Sequence, residues 1–329
     1  MVSFKARMEA SKQLLIASLD ISARANPLRR IRKALRLLST PSDAPVQEDS
    51  DVLGPAFRAV RLPSASLSGG PVCLLVTAAA DGRPFNHTLR LCADFKAHGF
   101  QVVLIVATDR PDLDCLDPGP EVADAVVTRE NHGYDFAAWA AALRYLPEVW
   151  AAPEVLFAND SVYHAAPALA ATLGRMRTNP AGVVALTEST ELARHFQSYL
   201  FLYKAAALAH PAARAFWGEV RSLGDKLQII REYEVAQRAV LEQAGLDVEI
   251  LFPAAPGGVQ GENQLHQGWR DLITQGFPFV KVQLLRDNPY GVDLAGWRAF
   301  LDRAEFDVGE IAFHLGAGRD GAAALLEMR

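Results

Sequence analysis

Short uninterrupted apolar runs alternate along this chain with longer stretches in which apolar residues recur every three or four positions. Val72–Thr77, Val102–Ala107, Ala123–Val127, Val155–Ala158 and Val183–Thr187 are too short for buried helices and read as strands. Pro84–His98, Tyr134–Leu146 and Ala165–Met176 fit helices between them. Strands apolar on both faces, separated by helices, predict an α/β fold with a mostly parallel sheet flanked by helices. Beyond about residue 190 the pattern changes. Phe196–Tyr203 reads as one further strand, while Pro211–Ser222, Lys226–Ala244 and Trp269–Gln275 read as helices, and a last helix carries Trp297 and Phe300. At the other end, Phe4, Met8, Leu15 and Leu19, then Leu28, Ile31, Leu35 and Leu38 after Pro27, approximate the apolar face of one or two helices. The expected organisation is therefore a helical extension (1–40), a Pro-, Ser- and acid-rich linker (41–70), an α/β half (71–190) and a largely helical region (191–329).

Composition narrows the class. Half of the 329 residues are hydrophobic and 22% are charged, as in soluble globular proteins, and no run of 18 apolar residues exists to span a bilayer. Charges scattered through the first 20 residues interrupt any signal-peptide core, so the expected compartment is the cytoplasm. Three cysteines without metal-ligand spacing agree with that expectation. Charge is unevenly spread. Residues 1–40 hold nine Lys or Arg against Glu9 and Asp20, a surplus of +7 that leaves −12 for the rest of a chain of net −5. The basic face of Arg29, Arg30, Arg32, Lys33 and Arg36 suits peripheral contact with anionic lipid, or packing on a partner with its charges solvated. The acidic remainder argues against nucleic acid as a partner.

The candidate chemistry lies between Arg129 and Tyr163. Glu130-Asn131-His132-Gly133-Tyr134-Asp135 places an Asn-x-Gly-x-Asp loop at the mouth of an Ala-rich helix. Gly133 permits positive φ or close backbone approach to a ligand, and Asn131 and Asp135 are either ligand groups or helix caps. The next strand ends in Asn159-Asp160-Ser161. A carboxylate at the C-terminal tip of a buried strand suits nucleotide binding in an open α/β sheet, while the same tripeptide also fits an Asx-turn. P-loop, dinucleotide, nucleophile-elbow and zinc signatures are absent from the sequence.

ENHGYDFAAW, VLFANDSVY, TEST, RHFQSYLFLYK, IIREYEV and GFPFVK, in that order, resemble the rhamnan synthesis protein F family of bacterial polysaccharide glycosyltransferases. The resemblance runs from roughly Val72 to Asn288 and implies a GT-A-like fold. By that likeness residues 71–190 would hold a nucleoside-diphosphate sugar, and residues 191–329 would face a glycan or lipid-linked acceptor. The implied donor-binding residues are Asn131, Gly133, Asp135, Asn159, Asp160, Asp109 and Lys281. Asp160 is the implied contact for Mg²⁺ or Mn²⁺ on the diphosphate, with Arg286 as a further basic residue near Lys281. Where GT-A enzymes carry two acids, this chain has Asn159, Asp160 and Ser161. The resemblance implies Glu234 as catalytic base, with Glu232 and Asp135 as alternatives, and His195 and Gln197 as contacts for sugar or acceptor hydroxyls. The implied reaction transfers rhamnose or another deoxyhexose to a growing surface glycan; the alternatives are a non-catalytic glycan-binding or scaffold protein derived from such an enzyme, and a nucleotidyltransferase that makes the activated sugar, against which the lack of a Gly-rich, basic triphosphate loop near the first strand counts.

Overall fold

The computed structural model describes residues 50–254 and 263–317. The basic helices expected over residues 1–40 lie outside the described residues. In chain order the strands are β1 (Arg58–Arg61), β2 (Val72–Ala78), β3 (Gln101–Thr108), β4 (Ala125–Glu130), β5 (Glu154–Asn159), β6 (Val162–His164), β7 (Val183–Ser189), β8 (His195–Phe196), β9 (Leu200–Lys204), β10 (Val248–Phe252) and β11 (Phe279–Lys281). The helices are α1 (Asn86–Ala97), α2 (Tyr134–Tyr145), α3 (Ala166–Thr178), α4 (Ala205–Ala209), α5 (Pro211–Glu219), α6 (Lys226–Ile229), α7 (Ala236–Gln243), α8 (Gln264–Gln267), α9 (Trp269–Thr274), α10 (Val282–Asp287), α11 (Trp297–Arg303) and α12 (Val308–Ala317).

Among the described residues, nine strands form one sheet in the order β1-β4-β3-β2-β5-β9-β7-β10, with β8 paired to β7. β2, β3, β4 and β5 are mutually parallel, and β10 is parallel to β7. β9 runs antiparallel to both of its neighbours, so β7 and β10 point the same way as β2 and β5. The expected mostly parallel α/β sheet flanked by helices is thus what the chain forms. Alternate side chains serve two cores, as the two-residue strand period requires. Leu74, Val76, Val103, Ile105 and Phe157 pack on one face with α2 and α5, while Cys73, Leu75, Val102, Leu104 and Leu156 pack on the other with α1 and α3. Five alanines of α2 (137, 138, 140, 141 and 142) are wholly buried, and small side chains let the helix lie close to the sheet. Trp139 on α2 donates its indole N–H to Leu74 O at 3.0 Å. Phe157 stacks on Phe201 (4.7 Å between centroids) and on Trp217 (4.9 Å), which joins β5, β9 and α5 in one aromatic layer.

Three expectations need correction. The segment read as linker contributes β1, whose pairing with β4 is accompanied by full burial of Val52 and Leu67. The boundary at residue 190 does not divide the sheet, because β9 and β10 from the second half are strands of it. The single strand expected over Phe196–Tyr203 is broken at 197–199, where Gln197 N bonds to Thr187 O and Asn159 N bonds to Tyr199 O. The helix expected over Lys226–Ala244 is present, but its middle, Ile230–Val235, is wound as a π-helix. Beyond residue 263, helices α8 to α12 supply a third core around Trp269, Trp297 and Phe306.

Candidate functional site

The parallel strands β2, β3, β4 and β5 all end at one edge of the sheet, and most of the polar residues singled out in the sequence sit there. Beyond β5 the chain continues through Asp160 and Ser161 into β6, which pairs antiparallel with β11. That pairing sets Lys281 opposite Val162, and Val282 N bonds to Ser161 O at 3.0 Å. A lysine 120 residues further along the chain thereby reaches Ser161, its Nζ lying 2.9 Å from Ser161 Oγ.

Asp160 is half-buried. Its Oδ2 accepts hydrogen bonds from Thr77 Oγ1 at the end of β2 and from Thr88 Oγ1 (3.1 Å) in the first turn of α1. Its backbone carbonyl lies 3.2 Å from His87 Nε2, which must carry the proton because a carbonyl can only accept. Asn159 donates from Nδ2 to Asp135 Oδ2 at 2.7 Å, and its Oδ1 accepts from Ser161 Oγ at 2.6 Å. Asn159 therefore bridges the α2 carboxylate and the Ser161–Lys281 pair. Glu234, on the π-helical turn, accepts at Oε1 from Ser198 N (3.0 Å) and Ser198 Oγ (2.9 Å). The break between β8 and β9 is what presents Ser198 to it. π-Helical turns inside α-helices are frequent at functional sites.

Burial pushes the Asp160 carboxyl up to about 6, against the bonds from Thr77 and Thr88 that favour its ionised form. Burial likewise raises Asp135 to about 6; Asn159 and Lys281 pull it down, whereas the charges of Asp160 and Glu234 push it up. Lys281 is lowered to about 8 by burial and by Lys226, in spite of Glu234 and Asp135. Its ammonium also sits 4.8 Å from the centroid of the Tyr199 ring. Asp135 thus feels the charges of Asp160, Glu234 and Lys281, and Lys281 those of Glu234 and Asp135, in a setting that disfavours ionisation of Asp135, Asp160 and Lys281. Perturbation of this sort is characteristic of functional clusters. Among the described residues no set of three or more His, Cys, Asp and Glu side chains could hold a metal ion. What the cluster offers a cation is the carboxylates of Asp135 and Asp160, a donor set that suits an ion taking its other oxygens from water and phosphate.

The remaining expected residues lie apart from this cluster. Asn131 Nδ2 bonds to Asp109 Oδ1 at 2.9 Å, and both residues are exposed at the ends of β4 and β3, the nearer end two strands along the edge from Asp160. Gly133 has φ +81°, as expected, but the space beside it is filled by protein. A Cβ there would lie 2.5 Å from Ser222 Oγ and 2.8 Å from Ser222 Cα, so the glycine admits the 222 turn rather than a ligand. Gln197 is buried and occupied at both ends, accepting from Thr187 Oγ1 at 2.9 Å and donating to Asn263 at 3.4 Å. His195 is buried with Nδ1 2.7 Å from Ala193 O. Glu232 is exposed and accepts from Gln228, one turn earlier on the same helix. Arg286 pairs with its neighbour Asp287. Thr77, Thr88 and Ser198 were not anticipated. A hydroxyl at the end of an apolar run is the only sequence signal that Thr77 gives, and Ser198 gives none.

Comparison with known proteins adds the following. The chain matches the family model described as rhamnan synthesis protein F over residues 111–312. It is 26% identical over 214 residues to a virulence protein VirA of Vibrio anguillarum, strain ATCC 68554 / 775, a match covering 52% of this chain. The match spans 65% of that relative, just under two thirds of its length. Among solved structures, the inositol-1-phosphate CTP transferase from T. maritima overlaps 56% of this chain and 86% of its own, at 13% identity and a TM-score of 0.34. A putative glucose-1-phosphate thymidylyltransferase from Bacillus anthracis overlaps 55% and 87%, at 9% identity and a TM-score of 0.35.

Proposed function

This chain belongs to the rhamnan synthesis protein F family, and from that premise we propose that it is a glycosyltransferase drawing on a nucleoside-diphosphate sugar. The observation that carries the reading is the meeting of Asp135, Asn159, Asp160, Ser161, Glu234 and Lys281 at the C-terminal edge of the parallel strands. Ligands of open α/β sheets bind at that edge.

In this reading the diphosphate of the donor lies against Lys281, whose ammonium neutralises charge as the glycosidic bond to the leaving phosphate breaks. Asp160 and Asp135 would hold Mg²⁺ or Mn²⁺, which would supply further positive charge beside the donor's phosphates when bound. Thr77 and Thr88 fix one oxygen of Asp160, and Asn159 fixes one of Asp135. Glu234 is the base that takes the acceptor hydroxyl's proton, its Oε1 anchored by Ser198. Asp109 is two strands away and Asn131 three, where the nucleoside would extend. The sugar is a deoxyhexose such as rhamnose, and the acceptor is a lipid-linked or nascent glycan, for which the basic segment 1–40 provides contact with anionic lipid.

A thermal-shift screen of nucleoside diphosphates and their sugars, with and without Mn²⁺ or Mg²⁺, tests the donor half directly. A ligand that binds the folded state alone raises the melting temperature by mass action. The expected result is a cation-dependent shift with one base, lost in Asp160→Asn, together with release of nucleoside diphosphate in the presence of acceptor. Release of pyrophosphate from a sugar phosphate plus a nucleoside triphosphate would instead identify a nucleotidyltransferase and overturn the proposal.

A further inference from the structure

Two successive residues with left-handed backbone open α2, Gly133 at φ +81° and Tyr134 at φ +54°. Glycine adopts such angles freely, whereas a bulky side chain does so only under constraint. The Tyr134 side chain is 45% exposed, so its own burial does not compensate for the strain. A backbone held this way is over-determined by its surroundings, and such positions cluster at functional sites.

The surroundings are specific. Arg129, on β4 and only 4% exposed, donates from Nη1 to His132 O at 2.6 Å and from Nη2 to Ser222 Oγ at 3.2 Å. Ser222, 1% exposed, donates from the same hydroxyl to His132 O at 2.8 Å. The guanidinium bonds to carbonyls and a hydroxyl where a carboxylate is the usual partner of a buried cation, and burial lowers it to about 10. Such a cation is expensive to bury, yet it grips the residue just before the left-handed pair. On the far side of that pair, Asp135 is gripped by Asn159. Ser222 also exchanges two backbone hydrogen bonds with Ser50, at 3.1 and 3.0 Å.

We propose that Arg129 and Ser222 are positioning residues, a buried brace joining β4, the 131–133 loop and the 222 turn that fixes where α2 begins and hence where Asp135 presents its carboxylate. The assignment rests on Asp135 belonging to the donor site. Because Ser50 is bonded to the same serine, Ser50 is tied to the brace as well.

The test uses the ¹⁵N-labelled full chain and reads the side-chain amide of Asn159, whose Nδ2 donates to Asp135 Oδ2. Its signal is identified by its loss in Asn159→Asp, and Asp135→Ala shows where the signal lies without that partner. In Ser222→Ala the signal is expected to move roughly half of the way to that position or further, because a displaced start of α2 carries the carboxylate out of hydrogen-bond reach of the amide. An unmoved Asn159 signal in a folded Ser222→Ala, whatever its melting temperature, makes the brace purely structural and overturns the proposal. Should Ser222→Ala not fold, Arg129→Lys, which keeps the charge and loses the fork, is read in its place with the same criterion. If the wild-type chain binds no sugar nucleotide, the reading of function fails while the amide signal still judges the brace.

Discussion

At Asp160 and Asp135 the surroundings favour the protonated carboxyl, and this has opposite consequences for stability and for binding. Both groups titrate near about 6 in the folded chain, against 3.8 for the ordinary side chain. Between those values the native state binds more protons than the unfolded state, so stability declines as pH rises and the penalty is complete above about 6. Asp160→Asn keeps an oxygen for Thr77 and Thr88 and removes the charge. It should raise the melting temperature at pH 7.5, by the equivalent of about 1 kcal/mol, with the gain vanishing below pH 4, as calorimetry across pH would register. The same substitution should lower donor turnover by about 100-fold or more, the usual scale for a lost electrostatic contact. A variant that is neither more stable nor less active would remove Asp160 from the site. Lys281 has the complementary behaviour, charged below about 8 and neutral above it. Donor binding should therefore peak between about 6 and about 8, falling on the acid side as the carboxylates protonate and on the alkaline side as Lys281 loses its proton. In Lys281→Met the alkaline limb should disappear.

At the level of the element, the π-helical turn Ile230–Val235 decides where Glu234 points. Removing Arg231, an exposed residue of that turn, takes out the extra residue that a π-turn accommodates and leaves an α-helical turn, so that Glu234 loses its present position. The prediction is a protein with unchanged sheet content by circular dichroism, no Ser198–Glu234 bond, and turnover reduced tenfold or more. The strands were legible in the sequence because burial on both faces makes β2, β3 and β7 continuous apolar runs. The Asn159-Asp160-Ser161 strand end was legible for the same reason, since polar residues abruptly close an apolar run. The break at 197–199 was not legible. Phe196, Tyr199, Leu200 and Phe201 are all buried, and hydrophobicity alone does not tell a turn packed under helices from a strand. Nor could spacing reveal that Lys281 meets Ser161 or that Gln197 is spent on Thr187 and Asn263, because both depend on pairings far apart in the chain. Gly133 was recognised as a special position for the right backbone angle, with a neighbour in Ser222 that no local pattern announces.

Taken whole, the described chain is built around the aromatic layer of Trp139, Phe157, Phe201 and Trp217 between the sheet and two of its helices. Trp217→Ala should lower stability by about 3–5 kcal/mol, read from chemical denaturation, because the layer cannot close over so large a void. Among the described residues no helix is long and apolar enough to cross a membrane. The position of β9, inserted between β5 and β7 and opposed to both, bears on how the molecule is made. During synthesis, β2 to β5 can assemble while the ribosome is still extending the chain, yet β5 and β7 keep open borders until Lys204 has left the exit tunnel. Unpaired borders of apolar strands invite pairing with other chains. A nascent polypeptide stalled at residue 195 should therefore aggregate, and one released beyond Phe252 should not.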